Sequence, residues 1–199
     1  MSDPKFSERP ELAATTQKLP TIKPLPIEDS EEFLAQQAEV RWLIAADAPL
    51  SVILSKLVLM IEAQVPEMFA SILLISDDGN HVRHAVAPSL PESYVRVIDG
   101  SPIGPKQGSC GTAMFRGEPV NVSDILTDPL WDNYREYAIA IGMRACWSTP
   151  ILSSKGKVLG SFAMYYREPR SPDGEEQHLT EVATKLAAEA IEHNLRRAK

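Results

Sequence analysis

The stretch RACWSTPILSSKGKVLGSFAMYY, residues 144–166, decides the fold. Its two apolar runs, 144–152 and 158–166, are joined only by the polar turn Ser154-Lys155-Gly156-Lys157. A parallel pair needs a crossover of about a dozen residues, so a link this short makes the runs an antiparallel hairpin. Earlier in the chain the pattern repeats. Residues 69–76 (FASILLIS) meet 81–87 (HVRHAVA) across Asp78-Gly79-Asn80, an Asp-Gly turn between apolar runs.

Helical patterns flank these hairpins. Asp29 with Glu32 three residues on forms a capping-box signal for a helix reaching about residue 46. Pro49 opens a second helix with Leu50, Ile53, Leu54, Leu57 and Ile61 on one face, ended by Val65-Pro66. Ser171-Pro172-Asp173 caps a last helix that carries Leu179, Val182, Ala183, Leu186, Ala187 and Ala190 at helical spacing. The middle is irregular. A short helix is expected over 91–98 with Tyr94, Val97 and Ile98 inward, and a short strand over 101–104. A helix over 110–116 follows, capped by Ser109, then a strand over 119–122. One helix over 128–142 begins at the Asp128-Pro129 pair. This order is an α+β architecture: a central antiparallel sheet, terminal helices on one face, and short helices and loops roofing the other.

Composition bounds the function. The chain has 199 residues, 44% of them apolar, and a net charge of −7, with no long basic run to neutralise a phosphate backbone. Nucleic acid is therefore not an expected partner. No apolar stretch reaches the roughly 18 residues of a membrane span, and residues 1–12 hold no apolar signal segment, so a cytoplasmic protein is expected. Five of the 16 prolines fall before residue 28, which reads as a disordered, Pro-rich arm over 1–28. Cys110 and Cys146 are too few for a disulfide framework or a zinc ribbon, and the four histidines form no metal-spaced pair, so neither metal nor cofactor is expected. His84, a lone strand histidine, reads as structural.

The Gly-rich segment 104–112 leads into a helix start, where free N–H groups and the positive dipole end suit an anion. Ser109, Cys110, Gly111 and Thr112 are the candidate donors, although GxxxxGK[ST] is absent. Trp131, Tyr134 and Trp147 are aromatics that either pack or line a pocket. On β alternation Arg144, Cys146 and Ser148 share one face, with Ala145, Trp147 and Thr149 on the other. Were the first face the pocket wall, Arg144 would pair with an anionic ligand.

Four stretches in order, SILLISDDGNHVRHAVAPSLPESYVRVIDG, GPKQGSCGTAMFRGEPVNVSDI, TDPLWDNYREYAIAIGMRACWSTPI and GKVLGSFAMYYREPRSP, resemble a GAF domain over about residues 46–194. The resemblance is closest to GAF sensor modules found beside bacterial diguanylate cyclase and histidine kinase domains. It implies a flanking helix over 29–47 and a sensor domain over 48–199. It also implies dimerisation through the terminal helices and a signalling output domain or protein as partner. The function so implied is a non-catalytic regulatory module that binds a small molecule or anion, at Ser109, Cys110, Gly111, Thr112, Trp131, Tyr134, Arg144, Cys146 and Ser148. Two alternatives accompany it. Free methionine sulfoxide reductases share the fold and a comparable G-x-C-G stretch, although their further cysteine motif is missing here. A dimerisation module with no ligand is the other. The Cys-His pair of bilin-binding GAF domains is absent.

Overall fold

The computed structural model describes residues 30–198. The proposed arm over 1–28 and the Asp29 cap lie outside them. Five strands form one sheet in the order β2-β1-β5-β4-β3: β1 (Phe69–Ile75), β2 (Val82–Val86), β3 (Val120–Val122), β4 (Ala145–Leu152) and β5 (Val158–Tyr166). Every pairing is antiparallel, as the two short turns require. The central strand β5 pairs with β1 on one side and β4 on the other, setting Ala163 opposite both Ser71 and Ser148.

Three helices cover one face: α1 (Glu31–Ala45), α2 (Leu50–Glu62) and α6 (Gly174–Arg197). The cap of α1 is Ser30, whose hydroxyl accepts from the Phe33 N–H at 3.0 Å. The α6 cap is a full capping box: the Asp173 carboxylate accepts from the Glu176 N–H, and the Glu176 carboxylate accepts from the Asp173 N–H. The main core lies between these helices and the sheet. It contains Leu54, Leu57 and Ile61 of α2, Trp147 and Ile151 of β4, Phe162, Met164 and Tyr166 of β5, and Leu179, Ala183 and Leu186 of α6.

A second core lies on the opposite face, beneath α3 (Glu92–Ile98), α4 (Gly108–Arg116) and α5 (Arg135–Ala140). Here the middle segment departs from its sequence pattern. Residues 101–104 form only an isolated bridge, Pro102 to His81, because the chain turns at once into the α4 loop. Val95, not Val97, packs inward with Tyr94 and Ile98. The expected helix over 128–142 is two pieces: a 3-10 turn, Pro129–Trp131, and α5. The Asp128 carboxylate caps that turn by accepting from the Leu130 N–H at 2.8 Å. Arg135 then donates to the carbonyls of Ile125 and Asp128, holding the break.

Gly160 sits where strands meet closely. A Cβ there would lie 2.1 Å from the Leu73 carbonyl oxygen. Backbone cannot yield as a flexible side chain can. Gly160→Ala is expected to lower the unfolding free energy by about 3 kcal/mol, read by urea denaturation. Gly174→Ala, in open space in the first turn of α6, is expected to leave stability unchanged or raise it by up to about 1 kcal/mol.

Candidate functional site

Between the second core and its roof lies a cavity of about 20 Å³ of space open to the centre of a water molecule. A single water needs roughly 10–15 Å³, so the cavity as it stands has room for little more than one. Its walls come from four places. Tyr165 of β5 forms the floor. Tyr94 and Ile98 of α3 and Val82 of β2 form one side. Trp131 and Tyr134 form the other, and the first turn of α4 with Gln107 closes the top. Tyr94 and Tyr165 meet edge to face, their centroids 6.2 Å apart.

The loop-to-helix junction builds the top. Gly108 opens α4 at φ +58°, a left-handed conformation that favours glycine. Gly111 lets the loop lie against the helix: a Cβ there would come 2.8 Å from the Gln107 Cβ and 2.9 Å from the Pro102 carbonyl oxygen. Ser109 does not cap the helix. The cap position belongs to Gln107, which makes no side-chain cap, while the Gln107 N–H donates to the Thr112 hydroxyl at 3.0 Å. The Ser109 hydroxyl instead donates to the Cys146 carbonyl at 3.0 Å and accepts from the Trp131 indole N–H at 3.1 Å. One fully buried hydroxyl thus ties α4, β4 and the 3-10 turn together. The Tyr134 hydroxyl donates to the Gln107 side-chain carbonyl at 2.7 Å and latches the roof, flanked outside by the Lys106–Asp132 ion pair at 2.6 Å.

Of the nine sequence-predicted site residues, Ser109, Cys110, Gly111, Trp131 and Tyr134 line this cavity. The Gly111 N–H is used within the fold, donating to the Gln107 carbonyl. Thr112, Arg144, Cys146 and Ser148 lie off the lining. Arg144 makes a double contact to the Asp124 carboxylate at 3.1 and 3.2 Å, which holds the Asp124 acid below its usual range. That pairing replaces the expected anion contact. Trp147 faces the terminal helices, where its N–H donates to the Arg170 carbonyl, because alternation places it opposite Cys146 and Ser148. Tyr94, Tyr165, Val82, Ile98, Ser101, Gln107 and Gly108 complete the lining without having been named as site residues. The partition of β5 faces, with Phe162, Met164 and Tyr166 opposite Ser161 and Tyr165, was the available signal for Tyr165. Gln107 carried none.

The floor is polar where a core is normally apolar. The Cys110 sulfur lies 3.7 Å from the Tyr165 hydroxyl, which also shares a 3.0 Å hydrogen bond with Ser71. Cys146, Ser148 and Ser161 stand against the same sulfur. The Cys146, Ser148, Tyr165 and Ser161 side chains, in that order, pull the Cys110 pKa down against the opposing effect of burial. Burial and the neighbouring Cys110 push the Cys146 thiol well up. The Ser148 and Ser161 hydroxyls, both fully buried, have no partner of regular hydrogen-bond geometry. Across the roof, burial likewise lowers the His84 pKa. Among the described residues, no three His, Cys, Asp or Glu side chains gather to hold a metal ion, and no helix is long and apolar enough to cross a membrane.

The family model described as "GAF domain" matches residues 50–192. The chain is 36% identical over 165 residues to a methyl sulfide methyltransferase-associated sensor of Methanosarcina acetivorans, a match covering 83% of this chain but 16% of that relative's length. The fold is similar to the GAF domain of a phosphoenolpyruvate-protein phosphotransferase of Coxiella burnetii (20% identity, TM-score 0.65, 84% of this chain and 97% of that one). It is also similar to a free methionine-R-sulfoxide reductase of Neisseria meningitidis solved with its substrate (18% identity, TM-score 0.61, 85% of this chain and 95% of that one). The antiparallel sheet between two helical layers and the matched span agree: the chain belongs to the GAF domain family.

Proposed function

We propose that this chain is a non-catalytic regulatory sensor module, acting in the cytoplasm, that binds a small molecule in the cavity under α4. The observation that carries this reading is the aromatic-walled cavity with a latch: Tyr94, Trp131, Tyr134 and Tyr165 surround it, and the Tyr134–Gln107 hydrogen bond joins two of its walls. Ligand pockets are apolar and aromatic with a few convergent polar groups, here Ser101, Ser109, Gln107 and Cys110. The lining holds no charged side chain, and Arg144 is already paired, so the ligand class narrows from small molecule or anion to an uncharged small molecule. A ligand larger than a few atoms enters only when the latch opens.

The same lining weighs against the reductase alternative. A free amino-acid sulfoxide is a zwitterion, and no charged group of the lining answers its ends. Turnover of free methionine sulfoxide with a dithiol reductant would restore that alternative.

The helical layer supports a homodimer that passes the signal to an output domain or partner protein. Leu34 and Trp42 of α1, Leu59 of α2 and Leu195 of α6 are all exposed, Trp42 to 66%. A ligand acts on such a dimer through different affinities for two helix arrangements.

Two outcomes are expected. Thermal-shift screening of the purified chain against uncharged metabolites, with mass spectrometry of any co-purified molecule, finds a binder. Ser109→Ala with Trp131→Ala weakens that binder about tenfold or more, whereas Tyr134→Phe, which removes a latch bond of about 1 kcal/mol, speeds its association roughly fivefold. A binder unaffected by the double change lies elsewhere. Sedimentation of the wild type shows a dimer that Trp42→Glu converts to a monomer; a monomeric wild type removes the dimer.

A further inference from the structure

We propose that Cys110 and Cys146 form a peroxide-responsive dithiol: Cys110 is oxidised inside the cavity, and Cys146 captures it as an intramolecular disulfide that fastens α4 to β4. The two cysteines divide the task by position. Cys110 lines the cavity, where a small solute meets it, whereas Cys146 lies behind it with no exposure. The residue before Cys110 is pinned to the Cys146 carbonyl by the 3.0 Å bond from Ser109, and Cys146 pairs across the sheet with Tyr165, whose hydroxyl lies 3.7 Å from the Cys110 sulfur.

The surroundings suit the chemistry of a thiolate. Buried polar groups almost always find partners, so the orphaned Ser148 and Ser161 hydroxyls need a reason. Both stand against the Cys110 sulfur, where a hydroxyl turned inward donates to the thiolate. Tyr165 presents a third hydroxyl. Cavity size and the uncharged lining select the oxidant. The small cavity favours a solute of a few atoms such as hydrogen peroxide, and nothing in the wall pairs with a charged oxidant.

The steps balance. The Cys110 thiolate attacks one oxygen of the hydroperoxide, the O–O bond breaks, and the leaving oxygen takes up a proton as water. Cys110 sulfur is oxidised by two electrons to the sulfenic acid and the peroxide is reduced by two. The Cys146 thiol loses its proton, its sulfur attacks that of Cys110, and the S–O bond breaks with release of a second water. An external dithiol returns both cysteines to thiols by supplying two electrons and two protons.

The test treats the reduced full chain with hydrogen peroxide and maps its cysteines by mass spectrometry without reductant. The expected result is loss of both free thiols and a Cys110–Cys146 linked peptide at the mass of one chain. Cys146→Ser is expected to leave Cys110 as a sulfenic acid that a cyclic dione labels, and Cys110→Ser to leave Cys146 reduced. In the wild type, iodoacetamide labelling of Cys110 is expected to have its pH midpoint below the ordinary thiol value of about 8.5, since a lowered pKa exposes thiolate at lower pH. Ser148→Ala with Ser161→Ala raises that midpoint. Two free thiols after excess peroxide, sulfinic acid at Cys110 without a link, a link only between chains, or a wild-type midpoint above 8.5 overturns the proposal. These readouts need no metabolite, so a chain that binds a metabolite but forms no disulfide keeps the sensor reading and loses this one.

Discussion

Side-chain alternation along β4 and β5 is the constraint from which both faces of the domain follow. Because β5 pairs with β1 and β4 together, its register determines the faces of all three strands. Phe162, Met164 and Tyr166 point to the terminal helices, with Ala145, Trp147 and Ile151 beside them. Ala163 and Tyr165 point to α4, with Cys146 beside them. A slip of one residue would exchange the two sets. It would place the aromatic and aliphatic bulk under α4 and the small polar residues under α6, and neither helix would seat.

The face under α4 trades stability for access. Serines at 71, 148 and 161 are small, so the helix approaches the sheet closely, and its own Gly108 and Gly111 let the loop fold down on it. Each buried hydroxyl without a regular partner costs about 1–3 kcal/mol relative to an apolar replacement that packs well. The opposite face carries no comparable burden. Its one buried carboxylate, Glu176, is paired with Arg170 at 2.8 Å, accepts from the Tyr166 hydroxyl and closes the α6 capping box. Among the described residues, the buried side-chain polar atoms without a partner are His84 Nε2 and the Ser148 and Ser161 hydroxyls, and the two hydroxyls lie on the cavity side.

Periodicity and turn chemistry made the sheet and the three long helices legible, because those signals are local and repeat. The cavity lining was legible where a local motif carried it. The Gly-rich run pointed to the α4 junction, and Trp131 and Tyr134 followed from the Asp128-Pro129 start. What failed depended on partners distant in sequence. Ser109 has the composition of an N-cap, but its hydroxyl is taken by Cys146 and Trp131, 37 and 22 residues away. Arg144 has the composition of an anion ligand, but Asp124 reaches it first. The helix expected over 128–142 breaks because Arg135 binds carbonyls of the preceding loop, a contact no window of apolar spacing records. Alternation correctly separated Cys146 from Trp147, yet could not say which of them faced the cavity until the helices were in place.

Neighbouring residues of β5 join the two faces. The Tyr165 hydroxyl contacts Ser71 and the Cys110 sulfur on the cavity floor, and the next residue, Tyr166, donates to Glu176 at the start of α6. Arg170 stacks over Tyr166, 4.5 Å from its ring centre, and contacts Glu176 as well, so the first turn of α6 is fixed to the strand by three kinds of contact. The Cys110 contact on β5 thus lies one residue from the α6 anchor. The far end of α6 is held differently. His193 and Arg197 both meet Asp47, which lies at the α1–α2 junction in a left-handed conformation at φ +58°. These contacts are exposed and salt-screened, worth far less than the buried anchor. Displacement entering α6 at its tight end would then be expressed at its loose end, where the helix leaves the sheet beside α1, and its size is bounded by the difference in affinity a cavity event has for the two helix arrangements.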